Sequence, residues 1–284
     1  MIPTYADVLA DRHLNDDELT HEFKLLKAYK PRDTSRCFAG NPILYHFQMD
    51  NLCKVKTGKG QSFYDIMADD KQREEWWIRI NKYAHGSRPN KPATRLFEIY
   101  RRCSGAVVFF KPTIAINMYH KYKATKVLDV CAGWGGRMLA AMAMEIGYTG
   151  IDTNVNLKPS YDAMMAKFGN ATMLWGDALE QDFTQIDYDF ALTSPPYWDT
   201  KNVEIYELMK IWKTQQEFYE DFLIPLINKT RASIRRNGKV AFNISPKMYK
   251  ILTEKYKYPA CEEAVPMLQQ KVRGKDKEDM VYVW

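Results

Sequence analysis

From about residue 106 onward the chain alternates short apolar runs with stretches of helical periodicity. Lys126-Val127-Leu128-Asp129-Val130-Cys131, Tyr148-Thr149-Gly150-Ile151-Asp152, Thr172-Met173-Leu174-Trp175-Gly176-Asp177 and the run from Ile186 into Ser194 each read as a short buried strand. Residues 238–244 and 279–284 read as later strands of the same kind. Helices are predicted from the Phe110-Lys111-Pro112-Thr113 segment to residue 123, in the alanine- and methionine-rich stretch after Arg137, and over residues 156–168, 215–236 and 246–256. Such regular alternation predicts an α/β fold, a parallel sheet with helices on both faces.

Residues 1–105 lack this alternation. Residues 16–30 predict an amphipathic helix with an acidic first turn and lysines towards its end, stopped by Pro31. Residues 41–63 suggest short strands around the turn-forming Lys54-Val55-Lys56-Thr57-Gly58-Lys59-Gly60. Residues 69–83 suggest a helix carrying Trp76 and Trp77. The expected organisation is an N-terminal accessory region, residues 1–105, followed by an α/β domain, residues 106–284.

Composition narrows the class. With 46% hydrophobic and 13% aromatic residues among 284, the chain can fill a packed core. No apolar run approaches a membrane span, and residues 1–7 lack the basic start and apolar middle of a leader. The five cysteines are scattered and form no Cys-x-x-Cys pair, which suits free thiols in a reducing compartment. The histidines show no ligand spacing, so no metal is expected. These features predict a soluble, cytoplasmic protein. The formal net charge of +6 permits a polyanionic partner. Basic residues concentrate between Arg79 and Arg102, where Glu98 is the only acid, and again at residues 54–59. Lys54, Lys56, Lys59, Arg88, Lys91 and Arg95 are the candidate phosphate contacts.

Two stretches carry chemistry. Asp129-Val130-Cys131-Ala132-Gly133-Trp134-Gly135-Gly136 joins a strand to a helix through close glycines, as nucleotide-binding crossovers do. It departs from the dinucleotide fingerprint, because Met138 stands where a third glycine belongs. A cofactor without a pyrophosphate fits better. Asp152 ends the next strand, where a carboxylate reaches ribose hydroxyls, and Asp177 offers an acceptor for an adenine amino group. The second stretch is Thr193-Ser194-Pro195-Pro196-Tyr197. Paired prolines cannot continue a central strand, so the chain leaves the sheet there in a stiff, extended form. The Ser194 hydroxyl and the Pro195 carbonyl can both accept hydrogen bonds from an exocyclic amino group. That favours a pyramidal nitrogen with a localised lone pair, and Tyr197 can stack on an extruded base.

In series, Asp129-x-x-x-Gly133-x-Gly135-Gly136, Gly150-Ile151-Asp152, Gly176-Asp177 and Thr193-Ser194-Pro195-Pro196-Tyr197 resemble the amino-group DNA methyltransferases that use S-adenosylmethionine. The resemblance covers residues 106–284. It implies the Rossmann-like sheet of class I methyltransferases, mostly parallel, with an antiparallel last strand. It implies a cofactor site of Lys111, Pro112 and Thr113 at the methionine end, with Asp129, Cys131, Ala132, Gly133, Trp134, Gly135, Gly136, Asp152 and Asp177. Catalysis would fall to Ser194, Pro195, Pro196 and Tyr197, acting on a base flipped out of DNA. Ser-Pro-Pro-Tyr is typical of cytosine N4 enzymes, and Asp- or Asn-Pro-Pro-Tyr of adenine N6 enzymes, so cytosine N4 is the expected target. Either first residue can serve either base, which leaves adenine N6, RNA and a non-catalytic nucleic-acid-binding module as alternatives. Target recognition is expected from residues 1–105, from the insertion at 198–212, or from a partner.

Overall fold

The computed structural model describes residues 2–31, 37–56, 60–83, 91–104, 107–198, 211–267, 271–272, 275–276 and 279–284. The helices before the sheet are α1 (Tyr5–Ala10), α2 (Asp16–Lys27), α3 (Asn41–Lys54), α4 (Phe63–Ala68), α5 (Asp70–Tyr83), α6 (Pro92–Ser104) and α7 (Pro112–Lys121). Those between and after the first strands are α8 (Gly136–Met144), α9 (Lys158–Phe168), α10 (Gln215–Glu217), α11 (Ile224–Ala232) and α12 (Pro246–Lys250). A π-helical stretch, Phe218–Leu223, joins α10 to α11, and another, Ile251–Lys255, extends α12. The strands are β1 (Lys126–Asp129), β2 (Gly147–Asp152), β3 (Thr172–Trp175), β4 (Phe190–Thr193), β5 (Lys239–Ile244), β6 (Glu263–Met267), β7 (Lys271–Val272), β8 (Lys275–Asp276) and β9 (Asp279–Val283).

The main sheet has seven strands in the order β3-β2-β1-β4-β5-β9-β6, while β7 and β8 pair separately. Strands β1 to β5 are parallel, and β9 lies antiparallel between β5 and β6. The sheet is Rossmann-like and mostly parallel, with the expected antiparallel last strand. Side chains alternate between its faces, as strand geometry requires. Val127, Phe190, Leu192, Ala241, Val281 and Val283 join one apolar cluster; Leu128, Val130, Ala191, Val240, Phe242, Ile244 and Tyr282 join the other. The first cluster also takes in Val8, Leu26, Leu44, Leu52, Phe63 and Phe97 from the N-terminal helices. Polar ties reinforce that packing: Asn51 Nδ2 donates to Ser160 Oγ at 3.0 Å, and Ser160 Oγ to the Phe47 carbonyl at 2.8 Å.

One expectation for residues 1–105 needs correction, and one helix there was not expected. Residues 41–54 form the helix α3 rather than strands. Pro42 sits in its first turn, and Ile43, Leu44, Met49, Leu52 and Cys53 line a buried helical face. Among the described residues a single bridge, Lys56 to Ser62, remains of the expected pairing. The basic stretch also contains a helix that its own residues did not announce. In α6, the first turn is capped from a distance by Asp11, which accepts from the Thr94 N–H at 2.9 Å.

One buried ion pair shapes the loop between β1 and α8. Arg137 Nε donates to Asp129 Oδ2 at 2.6 Å and its terminal nitrogen to Oδ1 at 3.2 Å, with Arg137 3% and Asp129 0% exposed. The Tyr148 hydroxyl donates to Asp129 at 2.8 Å, and Arg137 also holds the Cys131 carbonyl at 2.6 Å. Removing one partner strands a buried charge, which typically costs ~3–5 kcal/mol, whereas an apolar pair of similar volume is often tolerated. Arg137→Ala should therefore lower stability by about that amount in urea unfolding. Asp129→Leu with Arg137→Met should recover most of it. A single substitution costing under about 1 kcal/mol would show that the pair is not a structural requirement.

Candidate active site

The strand order reverses between β1 and β4, so their carboxyl ends open the crevice in which such sheets bind ligands. Both candidate stretches start there. The Cys131 N–H donates to Thr193 Oγ1 at 3.0 Å, which ties the glycine loop after β1 to the end of β4.

The loop is built for close approach. A Cβ on Gly136 would lie 2.0 Å from the Phe110 carbonyl oxygen, so only glycine lets the Phe110-Lys111 segment sit against it; Leu44 of α3 lies 3.4 Å from the same position. Gly133 differs: at φ +61° its Cβ position meets nothing nearer than the Cys131 carbonyl at 3.9 Å, leaving open space above the backbone. Beneath, the buried Tyr161 hydroxyl donates to the Gly133 carbonyl at 2.9 Å. The Gly133 N–H donates to Asp152 Oδ2 at 2.7 Å, and the Asn154 N–H to Oδ1 at 2.8 Å. Asp152 is only partly buried, so its carboxylate has capacity for a ligand's hydroxyls.

The other expected cofactor residues are placed as follows. Ala132 and Trp134 are buried, and the Ala132 N–H donates to the Ile151 carbonyl at 2.9 Å. Asp129 is committed to Arg137 and Tyr148, so it acts on the site by shaping the loop and not by touching a ligand. Lys111, 3% exposed, caps α7 and sets its ammonium 4.1 Å from the ring centroid of Phe38. Pro112 opens α7, and the buried Thr113 hydroxyl donates to the Cys37 carbonyl at 3.0 Å. Asp177 is exposed and accepts from the Leu179 N–H at 2.9 Å, in a turn that follows Gly176. Burial, reinforced by Asp152 and Asp129, holds the Cys131 thiol well above its ordinary pKa, so it stays protonated.

At the end of β4 the chain leaves the sheet as expected. The last register pair is Thr193 with Phe242, and Ser194 lies just beyond it. Ser194 Oγ donates to Asn243 Oδ1 at 3.1 Å. Pro195 is buried, while Pro196 and Tyr197 are partly exposed. Trp198 packs on Phe218 with ring centroids 5.6 Å apart, and Trp212 reaches the same ring at 5.3 Å. Most of the expected insertion, residues 199–210, lies outside the described residues.

Of the basic candidates, Lys54 and Lys91 are held near the two ends of α1. Lys54 pairs with Asp50 at 2.7 Å, and Tyr5 at the start of α1 donates to the same carboxylate. Lys91 donates to the Asp11 carbonyl at 3.2 Å, beyond the other end of α1. Lys56 is exposed and Arg95 is partly buried; Lys59 and Arg88 lie outside the described residues. Arg101, from the same basic stretch, is an internal tie to the Tyr45 hydroxyl and the Val107 carbonyl, each at 2.7 Å.

Sequence reasoning missed Arg137, Tyr161, Thr193 and Asn243 as site-building residues. Arg137 directly follows the glycines, and an arginine at the start of an apolar helix was a usable signal. Tyr161 and Asn243 carry none, since their partners are distant in sequence.

Among the described residues no group of three or more His, Cys, Asp or Glu is arranged to hold a metal, and no helix is long and apolar enough to cross a membrane. No protein-family model and no curated protein matches the chain. Solved structures that align with it include TrmN from Thermus thermophilus, 14% identical over 74% of this chain and 77% of that one, TM-score 0.45. An rRNA methylase from Streptococcus thermophilus aligns at 10% identity over 63% of this chain and 97% of that one, TM-score 0.42. The tRNA m1G37 methyltransferase of M. jannaschii aligns at 14% identity over 63% and 51%, TM-score 0.40. Likenesses this weak add nothing to the strand order, on which the fold assignment rests.

Asp152 gives the site a pH signature. Burial pushes its carboxyl above the ordinary range, against the pull of the Asn154 and Gly133 N–H groups; Asp129 raises it further and Arg137 lowers it. Folding shifts this group towards its acid form relative to an ordinary aspartate, so its contribution to stability falls as pH rises from the ordinary aspartate range through the raised pKa. The anion accepts more strongly than the acid from the ribose hydroxyls it is expected to hold. S-adenosylmethionine affinity should therefore rise with pH across that same window, and Asp152→Asn should bind on the order of tenfold more weakly with little pH dependence. Calorimetric titration checks both. Wild-type affinity in the Asn variant would remove Asp152 from the cofactor site.

Proposed function

We propose that the chain is an S-adenosylmethionine-dependent DNA methyltransferase acting on the exocyclic N4 amino group of cytosine. The observation that best supports this reading is the meeting of the Ser194-Pro195-Pro196-Tyr197 corner with the glycine loop through Thr193 and Cys131. The donor and acceptor set around that loop fits the cofactor. Asp152 would hold the ribose hydroxyls, Asp177 the adenine amino group, and Lys111 with Thr113 the methionine end.

When bound, S-adenosylmethionine supplies an electrophilic methyl group on a sulfonium. The chain's own residues make the amine ready for it. An exocyclic amino nitrogen is nearly planar, with its lone pair drawn into the ring. Ser194 Oγ and the Pro195 carbonyl accept its two N–H groups at fixed angles, which favours the pyramidal nitrogen of the transition state. Tyr197 stacks on the base face and holds it in line with the methyl. No general base is required: the amine becomes strongly acidic once methylated, and water takes the proton.

In this reading residues 1–105 form the recognition region, with Lys54, Lys56, Lys91 and Arg95 among its phosphate contacts. Two tests separate chemistry from binding. Ser194→Ala should lower single-turnover methylation on the order of a hundredfold with cofactor affinity unchanged. Tyr197→Ala should weaken substrate capture by ~1–3 kcal/mol and Tyr197→Phe should be mild, since the ring does the work. A Ser194→Ala enzyme as fast as wild type would make the corner a structural turn. For the recognition region, DNA affinity should fall steeply with salt, and neutralising Lys56, Lys91 and Arg95 together should flatten the slope. An unchanged slope in the triple variant would move the phosphate contacts elsewhere.

A further inference from the structure

We propose that Asn243 is a positioning residue for Ser194, one that makes the catalytic hydroxyl an obligatory acceptor towards the substrate. The inference rests on the reading of Ser194 given above. Asn243 sits in β5, 3% exposed, beside the end of β4. Its Nδ2 donates to the Met280 carbonyl at 2.8 Å, across the antiparallel pairing of β5 with β9. A carbonyl only accepts, so the amide nitrogen has to face Met280 and the amide oxygen has to face Ser194. Ser194 then has one way to bond to Asn243: by donating its single proton to Oδ1, at 3.1 Å.

A hydroxyl carries one proton and two lone pairs. With the proton committed, what remains is acceptor capacity alone. A group meeting Ser194 on the substrate side has to bring an N–H or O–H. An exocyclic amino group satisfies this, whereas a keto oxygen at the same ring position faces lone pair against lone pair. The discrimination is set by a buried amide that never touches the substrate and is itself oriented by the last strand of the sheet. An unoriented serine would rotate and could donate to a keto oxygen as readily as it accepts from an amine.

A double-mutant cycle tests this, with enzymatically amplified, unmethylated DNA and methyl-tritiated S-adenosylmethionine as the probes. Asn243→Ala should lower the single-turnover rate roughly tenfold or more, a smaller loss than removing the hydroxyl itself. In a Ser194→Ala background the same substitution should change the rate by less than about twofold, the usual scatter of additivity. Equal losses in both backgrounds would overturn the proposal, because a purely structural defect does not depend on the hydroxyl. Asn243→Asp keeps an acceptor for Ser194 while giving up the bond to Met280. It should be faster than Asn243→Ala, and an equally slow Asp variant would also overturn the proposal. If Ser194→Ala by itself keeps the wild-type rate, the catalytic reading of Ser194 falls and this inference falls with it.

Discussion

The contact between Asp129 and Arg137 holds the candidate site in shape. A carboxylate and a guanidinium removed from water must satisfy each other, and here they do so from the last residue of β1 and the first turn of α8. The residues between them have little freedom left. Arg137 also takes the Cys131 carbonyl, Tyr148 reaches in from β2, and the Tyr119 hydroxyl in α7 donates to the Arg137 carbonyl at 3.1 Å. Four elements thus fix one loop, and the loop fixes where Gly133 and Asp152 face. Thr193 extends the same constraint to β4, so the geometry of the glycine loop and that of the Ser194 corner are set together.

This coupling explains a division of labour at the sheet's carboxyl edge. The β2 and β3 side carries the Asp152 and Asp177 carboxylates, suited to hydroxyl and amino donors of a nucleoside. The β4 and β5 side carries a hydroxyl and a proline corner, suited to an amino group at the reacting centre. The N-terminal region reaches the glycine loop: Leu44 of α3 lies against Gly136, and Cys37 and Phe38, just before α3, meet Thr113 and Lys111. A region without the strand–helix alternation of the sheet therefore supplies part of the wall beside the glycine loop.

Strands β1 to β5 and β9 were legible because they are short apolar runs, several ending in chemistry-bearing residues, as in Val127-Leu128-Asp129 or Ala191-Leu192-Thr193, whereas the edge strand β6, with Glu263 and Pro266, gave no such run. Burial on both faces enforces that pattern, and the alternation with helices supplies the direction of the strands. Residues 41–54 were misread because the turn-forming lysine and glycine segment after them dominated the local signal, while the helical spacing of Ile43, Leu44, Met49 and Leu52 matters only against a partner. The cap of α6 by Asp11 is invisible for the same reason, since its two residues lie far apart in sequence. At the site, glycines, prolines and strand-ending carboxylates were readable because each restricts its own backbone or stands at a strand end. Arg137, Tyr161 and Asn243 work by orienting other residues. Neither their identity nor their spacing reports the distant atom each one holds.

The central claim is methyl transfer to an amino nitrogen of cytosine in DNA. The most direct measurement incubates the protein with deuterated-methyl S-adenosylmethionine and a mixture of unmethylated DNA and RNA, digests each to nucleosides, and identifies the labelled product by mass spectrometry. Labelled N4-methyldeoxycytidine is expected in the DNA fraction, lost on Ser194→Ala. Label on adenine N6, label confined to RNA, or no label in any nucleoside would contradict it.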